Sequence, residues 1–212
     1  MVVAIDGPAA SGKSTVARMV AKRAGLTYIN SGNFYRAITY AVLAHDLDPE
    51  NPHDVIRAAR QSKIGVVDGE LHLDGKNVDS RLHTDRIDRW VAGHSAIPEV
   101  RNVVNEQLRR AVRNLDAIIE GRDIATVVFP DAAVKIYLDA SIHVRAQRRL
   151  GQGISNLTLA ELERSIEARD TIDRNKPTGS LRQSEDAVYL DTSDLTIEEV
   201  CEKVVEKIRK TT

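Results

Sequence analysis

Gly7-Pro8-Ala9-Ala10-Ser11-Gly12-Lys13-Ser14-Thr15 decides how this chain is read. The stretch satisfies G-x-x-x-x-G-K-[ST] at every fixed position, and its surroundings are those the pattern requires. Before it runs Val2-Val3-Ala4-Ile5, an apolar run that predicts a buried strand. After it comes Val16-Ala17-Arg18-Met19-Val20-Ala21-Lys22-Arg23, which predicts a helix. Strand, glycine loop and helix in that order make a phosphate cradle. The glycines let the backbone turn tightly and aim its N–H groups at an anion. The helix start adds partial positive charge at the same point. Lys13 is spaced to reach the β- and γ-phosphates of a nucleotide, and the Ser14 hydroxyl to sit on Mg²⁺.

Composition narrows the alternatives. The chain has 212 residues, which suggests one domain with room for inserted lobes. Hydrophobic residues are 42% and charged residues 29%, ordinary for a globular protein. A net charge of −1 gives no bulk attraction to nucleic acid or to an anionic membrane, so neither is expected as a partner. Cys201 is the single cysteine, which rules out an intramolecular disulfide, and the six histidines lack metal-ligand spacing. No apolar run approaches the ~18 residues of a membrane span. The first strand begins at once, so no signal peptide is expected. The expectation is a cytoplasmic monomer.

The opening continues as β-loop-α-β-α. Thr27-Tyr28-Ile29 reads as a second strand, and Phe34, Ala37, Ile38, Ala41 and Val42 fall at helical spacing. That order predicts a parallel sheet covered by helices. The middle changes character. Residues 51–61 look like a polar helix, and Asp68-Gly69 between Ile64-Gly65-Val66-Val67 and Glu70-Leu71-His72-Leu73 is a two-residue hairpin signal. Asp74-Gly75 gives a second turn. This is a small antiparallel element inserted in an α/β chain, followed by helices around Asp85–His94 and Pro98–Asn114, with Pro98 suited to a first helical position. Ala117–Glu120 and Val134–Leu138 are again continuous apolar strands, as a sheet buried on both faces requires. A helix follows from Ser141, and Thr158-x-x-Glu161 predicts a capping box opening another. Val188-Tyr189-Leu190 is a last strand. Ile197, Val200, Cys201, Val204, Val205 and Ile208 mark an amphipathic C-terminal helix with Cys201 in its core stripe.

Open parallel sheets bind ligands at the carboxyl ends of their strands. Three polar clusters fall at such ends: the glycine loop, Asn30 to Arg36, and Gly121-Arg122-Asp123. Each alone could be a polar loop with a surface ion pair; together they point to a second ligand beside the phosphate cradle. In the helix after Thr158 the stripe Leu159, Leu162, Ile166 continues as Arg169, Asp173 and Lys176. That pattern fits a face entering a cleft, or equally a solvated helix end. Residues 145–176 are rich in arginine, whose planar, permanently charged fork suits phosphoryl groups. With its flanking glycines the segment fits a flap that closes over nucleotide phosphates.

These residues resemble the bacterial cytidylate kinase family of nucleoside monophosphate kinases nearly end to end. The resemblance rests on Ala4-Ile5-Asp6-Gly7-Pro8, on Asn30-Ser31-Gly32-Asn33-Phe34-Tyr35-Arg36, and on Ala96-Ile97-Pro98-Glu99-Val100-Arg101. Its most specific part is Glu120-Gly121-Arg122-Asp123-Ile124-Ala125-Thr126-Val127-Val128-Phe129-Pro130-Asp131. Arg169-Asp170-x-x-Asp173-Arg174 and Asp186–Thr192 complete it. The resemblance implies a P-loop kinase core with a five-stranded parallel sheet, a nucleoside-monophosphate lobe over residues 53–98 and a helical lid over 148–180. It implies transfer of a phosphoryl group from ATP, with Mg²⁺, to CMP or dCMP. Gly7 to Thr15 would hold the donor. Lys13, Arg122 and Arg148 would act on the transferring group. Ser31 and Arg36 would hold the acceptor, Arg101 and Asp123 its cytosine edge, Arg122 its phosphate, and Arg169 and Asp173 its sugar or phosphate. Four positions depart from the family pattern. Asn30 stands where an aspartate is common, Ala92 where a serine often contacts the base, Ala125 where a glycine is usual, and Lys176 where an arginine is usual. Two rival functions are a P-loop kinase for another small acceptor and a regulatory nucleotide switch. The switch would need a guanine-reading Asn-Lys-x-Asp, and Asn175-Lys176-Pro177-Thr178 lacks the aspartate.

Overall fold

β1 (Val2–Asp6) is the middle strand of a five-stranded sheet ordered β2-β6-β1-β7-β8. It pairs in parallel with β6 (Ala117–Gly121) on one side and β7 (Val134–Asp139) on the other. β8 (Val188–Asp191) continues the parallel pairing beyond β7; β2 is Thr27–Asn30. The computed structural model describes residues 1–153 and 157–211. The chain divides into two compact units, Met1–Tyr28 with Asp116–Thr212, and Ile29–Leu115.

In the first unit the apolar strands form because both their faces are covered. Val3 and Ile5 of β1, Ile118 of β6 and Ile136 and Leu138 of β7 share one core. Helices α1 (Lys13–Ala24) and α8 (Ile197–Arg209) add Val16, Val20, Val200, Cys201 and Val204 to it. Each large aliphatic side chain buried there contributes roughly 1.5–3 kcal/mol. Cys201 is thus a core residue, as its place on the stripe predicted. α1 ends where Gly25 takes a left-handed φ of 67°, its N–H closing on the Ala21 carbonyl. α6 (Ile142–Gly151) packs against α7 (Leu159–Asn175) through Ala146, Leu162 and Ile166. The capping box expected at Thr158 and Glu161 is present, and Thr196 with Glu199 forms a second one at the start of α8. Residues 154–156, within the expected lid, lie outside the described residues, as does 212.

The second unit carries α2 (Ser31–Ala44), α3 (Pro52–Gln61), a three-stranded antiparallel sheet, α4 (Asp85–His94) and α5 (Pro98–Ala111). The sheet consists of β3 (Ile64–Val67), β4 (Glu70–Leu73) and β5 (Lys76–Asn77). Its two Asp-Gly turns carry positive φ at both residues, 53° and 81° at 68–69 and 50° and 79° at 74–75. That is the twist a two-residue hairpin needs. Asn30 caps α2, its side chain accepting the Gly32 N–H at 2.8 Å, so asparagine does the capping work open to an aspartate at this position. Pro98 opens α5 as expected.

No helix among the described residues is long and apolar enough to cross a membrane.

Candidate active site

The glycine loop leaves β1 and enters α1, as the motif demands. Gly7 is required by close approach, because a Cβ there would lie 2.0 Å from the Leu138 carbonyl oxygen of β7. Gly12 holds a left-handed φ of 93° just before the first turn of α1, a conformation costly for any residue with a Cβ. Lys13 is buried, its Nζ donating to the Pro8 carbonyl at 2.6 Å and to Ser11 Oγ at 3.4 Å. Burial pushes this amine well below its ordinary pKa, and the Arg122 guanidinium pushes the same way. Glu120, Asp6 and Asp173 pull against them. Residues 10–16 line a pocket of about 510 Å³ with Arg148, Arg149, Gln152, Thr192 and the apolar Leu195, Ile197 and Val200. Polar loop and apolar wall together fit a nucleotide: anionic groups on the amides, a base on the aliphatic side.

The end of β6 carries the second cluster. Pairing of Asp6 with Gly121 in the β1–β6 ladder sets Arg122 and Asp123 just beyond the point where the glycine loop begins. Arg122 Nε donates to Asp173 Oδ2 at 2.9 Å, and Lys176 Nζ donates to the other oxygen at 2.7 Å. Burial alone would raise the Asp173 carboxyl; the two cations outweigh it and hold the group below its usual range. Asp123 is buried. The residues after it, Ile124–Val128, form a single π-helical turn. Its first two N–H groups are accepted by the buried carboxylate of Asp6, from Ile124 at 2.9 Å and from Ala125 at 2.7 Å. Burial raises Asp6 to a pKa of about 6, and the two backbone N–H groups oppose that rise.

On α6, Arg148 is half-buried and tied to Thr192, donating from Nη1 to Oγ1 at 2.9 Å and from Nη2 to the carbonyl at 2.6 Å. Its neighbour Arg145 forms a buried ion pair with Asp170 at 2.7 Å. Arg145 also donates to the Ala140 and Ala9 carbonyls, so α7 is linked through this one guanidinium to the glycine loop. The stripe on α7 therefore runs Leu162, Ile166, Asp170, Asp173. Arg169, expected on the stripe, is exposed; a step of four residues from Ile166 is followed here instead of a step of three, because Asp170 finds its counter-charge inside.

In the second unit, Ser31 is buried in the first turn of α2. Arg36 meets Asp88 of α4 at 2.6 Å and donates to the Leu82 carbonyl at 3.0 Å. Arg101 of α5 is buried, lies over the Tyr35 ring at 5.5 Å and donates to the Ser95 carbonyl. Ala92 is exposed. Of its polar neighbours, Ser95 donates to the Ala92 carbonyl, and His94 is buried between Thr39 Oγ1 and the Pro49 carbonyl. Burial lowers the His94 pKa.

The cytidylate kinase family model matches residues 3–210. A cytidylate kinase of Borrelia turicatae (strain 91E135) is 45% identical over 97% of this chain and 95% of its own length. That of Limosilactobacillus reuteri (strain DSM 20016) is 41% identical over 99% and 95%. The chain belongs to the cytidylate kinase family. It is an enzyme, a transferase that phosphorylates cytidylate, and the family's chemistry implies ATP as donor. Among solved structures, a shikimate kinase from Bacteroides thetaiotaomicron superimposes with a TM-score of 0.50 at 12% identity, covering 99% of this chain and 98% of that one. A likeness at that identity shows the shared P-loop kinase fold and nothing finer.

For this family member the structure brings Lys13, Arg122, Asp123 and Asp173 together in the first unit, with Arg148 at the glycine-loop pocket. Ser31, Arg36 and Arg101 stand in the second unit, grouped on α2 and α5. Sequence reasoning missed Asp6 and Asp170 as site-building residues. A signal existed for the first, an acid ending an otherwise apolar strand directly before the glycine loop. Among the described residues no group of three or more His, Cys, Asp or Glu is placed to hold a metal.

Proposed function

We propose that this enzyme moves the γ-phosphoryl of Mg-ATP in line to the α-phosphate of CMP or dCMP, yielding ADP and CDP or dCDP. The observation that carries the reading is the register of β1 on β6. Asp6 opposite Gly121 starts the donor loop and the Arg122–Asp123 loop side by side at the carboxyl ends of two adjacent strands. In this reading Gly7 to Thr15 hold the donor phosphates. Mg²⁺ fits the Ser14 hydroxyl together with phosphate oxygens and water, and it would neutralise charge on the transferring group. The acceptor phosphate is already ionised near neutral pH, so no dedicated base is needed. Catalysis then rests on positioning and on charge stabilisation.

Lys13 and Arg122 flank the transferring group, and Arg148 joins them by leaving Thr192. Ser31 and Arg36 hold the acceptor nucleotide, Arg101 and Asp123 its base, and Arg169 and Asp173 its sugar or phosphate. Cytosine offers an N4 donor with N3 and O2 acceptors, which a carboxylate and a guanidinium can match. Uracil would leave those buried groups unpaired. Residues 53–98 act as the nucleoside-monophosphate lobe and 148–180 as the lid whose closure excludes water and prevents idle ATP hydrolysis. The enzyme works as a cytoplasmic monomer in pyrimidine nucleotide metabolism. A panel of CMP, dCMP, UMP, other nucleotides and shikimate, read by coupled ADP release, tests the assignment. CMP or dCMP should dominate; strong turnover of another acceptor, or ADP release with none, would overturn it.

A further inference from the structure

We propose that Asp6 is a positioning residue for acceptor recognition, its carboxylate fixing the backbone turn that carries Asp123. The proposal rests on the reading of Asp123 as a base-binding group. The β1–β6 ladder ends at the Asp6–Gly121 pair. Beyond it no strand pairing ties the 122–128 segment to the sheet. The π-helical turn begins at Ile124 with two buried residues whose N–H groups need acceptors, and its own cap position, Asp123, provides no side-chain hydrogen bond to them. Asp6 supplies the missing cap from another strand, one oxygen for each of the N–H groups of Ile124 and Ala125. The turn closes behind Asp123 because its carbonyl accepts from the N–H groups of Val127 at 2.9 Å and Val128 at 3.1 Å. Asp123 therefore sits at the joint between a capped turn and a strand end, its backbone held from both sides.

A structural filler would not look like this. Asp6 is only 1% exposed, and burying a carboxylate is costly even with two hydrogen bonds. The raised pKa records that cost. An aliphatic residue would pack here more cheaply, but it would strand two buried N–H groups. Both carboxylate oxygens are engaged by backbone, so the group acts through the turn. The next residue, Gly7, is pinned against Leu138. Adjacent residues thus anchor the donor loop and the acceptor loop to one strand end, which fixes the geometry between lysine amine and base-reading carboxylate.

The test compares Asp6→Asn with Asp123→Ala, reading thermal midpoint, KM for ATP, KM for CMP and the CMP-over-UMP preference. An amide accepts one of the two N–H groups and opposes the other. Asp6→Asn should stay folded, raise KM for CMP by about tenfold and shrink the preference for CMP, with KM for ATP changed less than about twofold. A preference that falls in Asp123→Ala but not in Asp6→Asn refutes the role of Asp6 and leaves the base site standing. A preference unchanged in Asp123→Ala refutes the base-site reading, and the proposal falls with it. Equal losses for ATP and CMP in Asp6→Asn mean general loosening and also refute it. If Asp6→Asn does not fold, Ala125→Pro removes one of the same hydrogen bonds from the loop side and must give the same split between ATP and CMP.

Discussion

Removing the Asp170 carboxylate tests how the glycine loop is braced. Asp170 and Arg145 are 2% and 3% exposed at the side chain, and they meet at 2.7 Å. Neither oxygen of Asp170 is aligned to accept a hydrogen bond, so the contact is held by charge. Asp170→Ala leaves a buried guanidinium that, among the described residues, keeps the Ala140 and Ala9 carbonyls as partners. Breaking one side of such a pair costs about 3–5 kcal/mol. For a chain of 212 residues, each kcal/mol moves the thermal midpoint by roughly 2–4 °C. The midpoint should therefore fall by roughly 6–20 °C in circular dichroism melts. KM for ATP should rise as well, since Arg145 also holds the Ala9 carbonyl of the donor loop. Glu206→Gln serves as the control. It removes an exposed pair with Lys210, 63% and 69% exposed, and should leave the midpoint where it was. The reasoning is refuted if Asp170→Ala melts with the control, or if it melts low with an unaltered KM for ATP.

Lys13→Ala should abolish turnover in the ADP-coupled assay while the circular dichroism spectrum is kept, because its amine's hydrogen bonds among the described residues, to Pro8 and Ser11, stay within the loop; full activity would sink the donor assignment. Asp123→Ala should raise KM for CMP far more than KM for ATP, and an unchanged CMP value removes Asp123 from the base site. The Asp6 carboxyl titrates near pH 6 in the folded chain against roughly 3.9 when unfolded. The folded state therefore holds the proton more tightly between those values, and this group's contribution to stability falls as pH rises from about 4 through 6. Asp6→Asn should flatten that part of a urea-denaturation profile measured against pH, and a slope identical to wild type would contradict the burial of Asp6.

What could be read from sequence was local. The continuous apolar runs at 2–5, 117–120 and 134–138 predict strands covered on both faces, and each helix start with a Thr-x-x-Glu pattern announces its own cap. Thr196 and Glu199 carried that signal as openly as Thr158 and Glu161. The features that shape the site were not local. The turn after Asp123 is capped by a residue 118 positions earlier in the chain, and nothing in Ile124-Ala125-Thr126-Val127-Val128 forecasts a π-helical turn. On α7 the periodicity of 3.6 residues allows either Arg169 or Asp170 to follow Ile166 on the buried stripe. The choice was made by Arg145, on a different helix. A charged residue can be buried only where an opposite charge waits for it, so burial of an acid or a base is a property of two positions at once. Hydrophobic pattern, which scores positions singly, finds the sheet that carries this site and is blind to the ion pairs and carboxylate caps that give the site its shape.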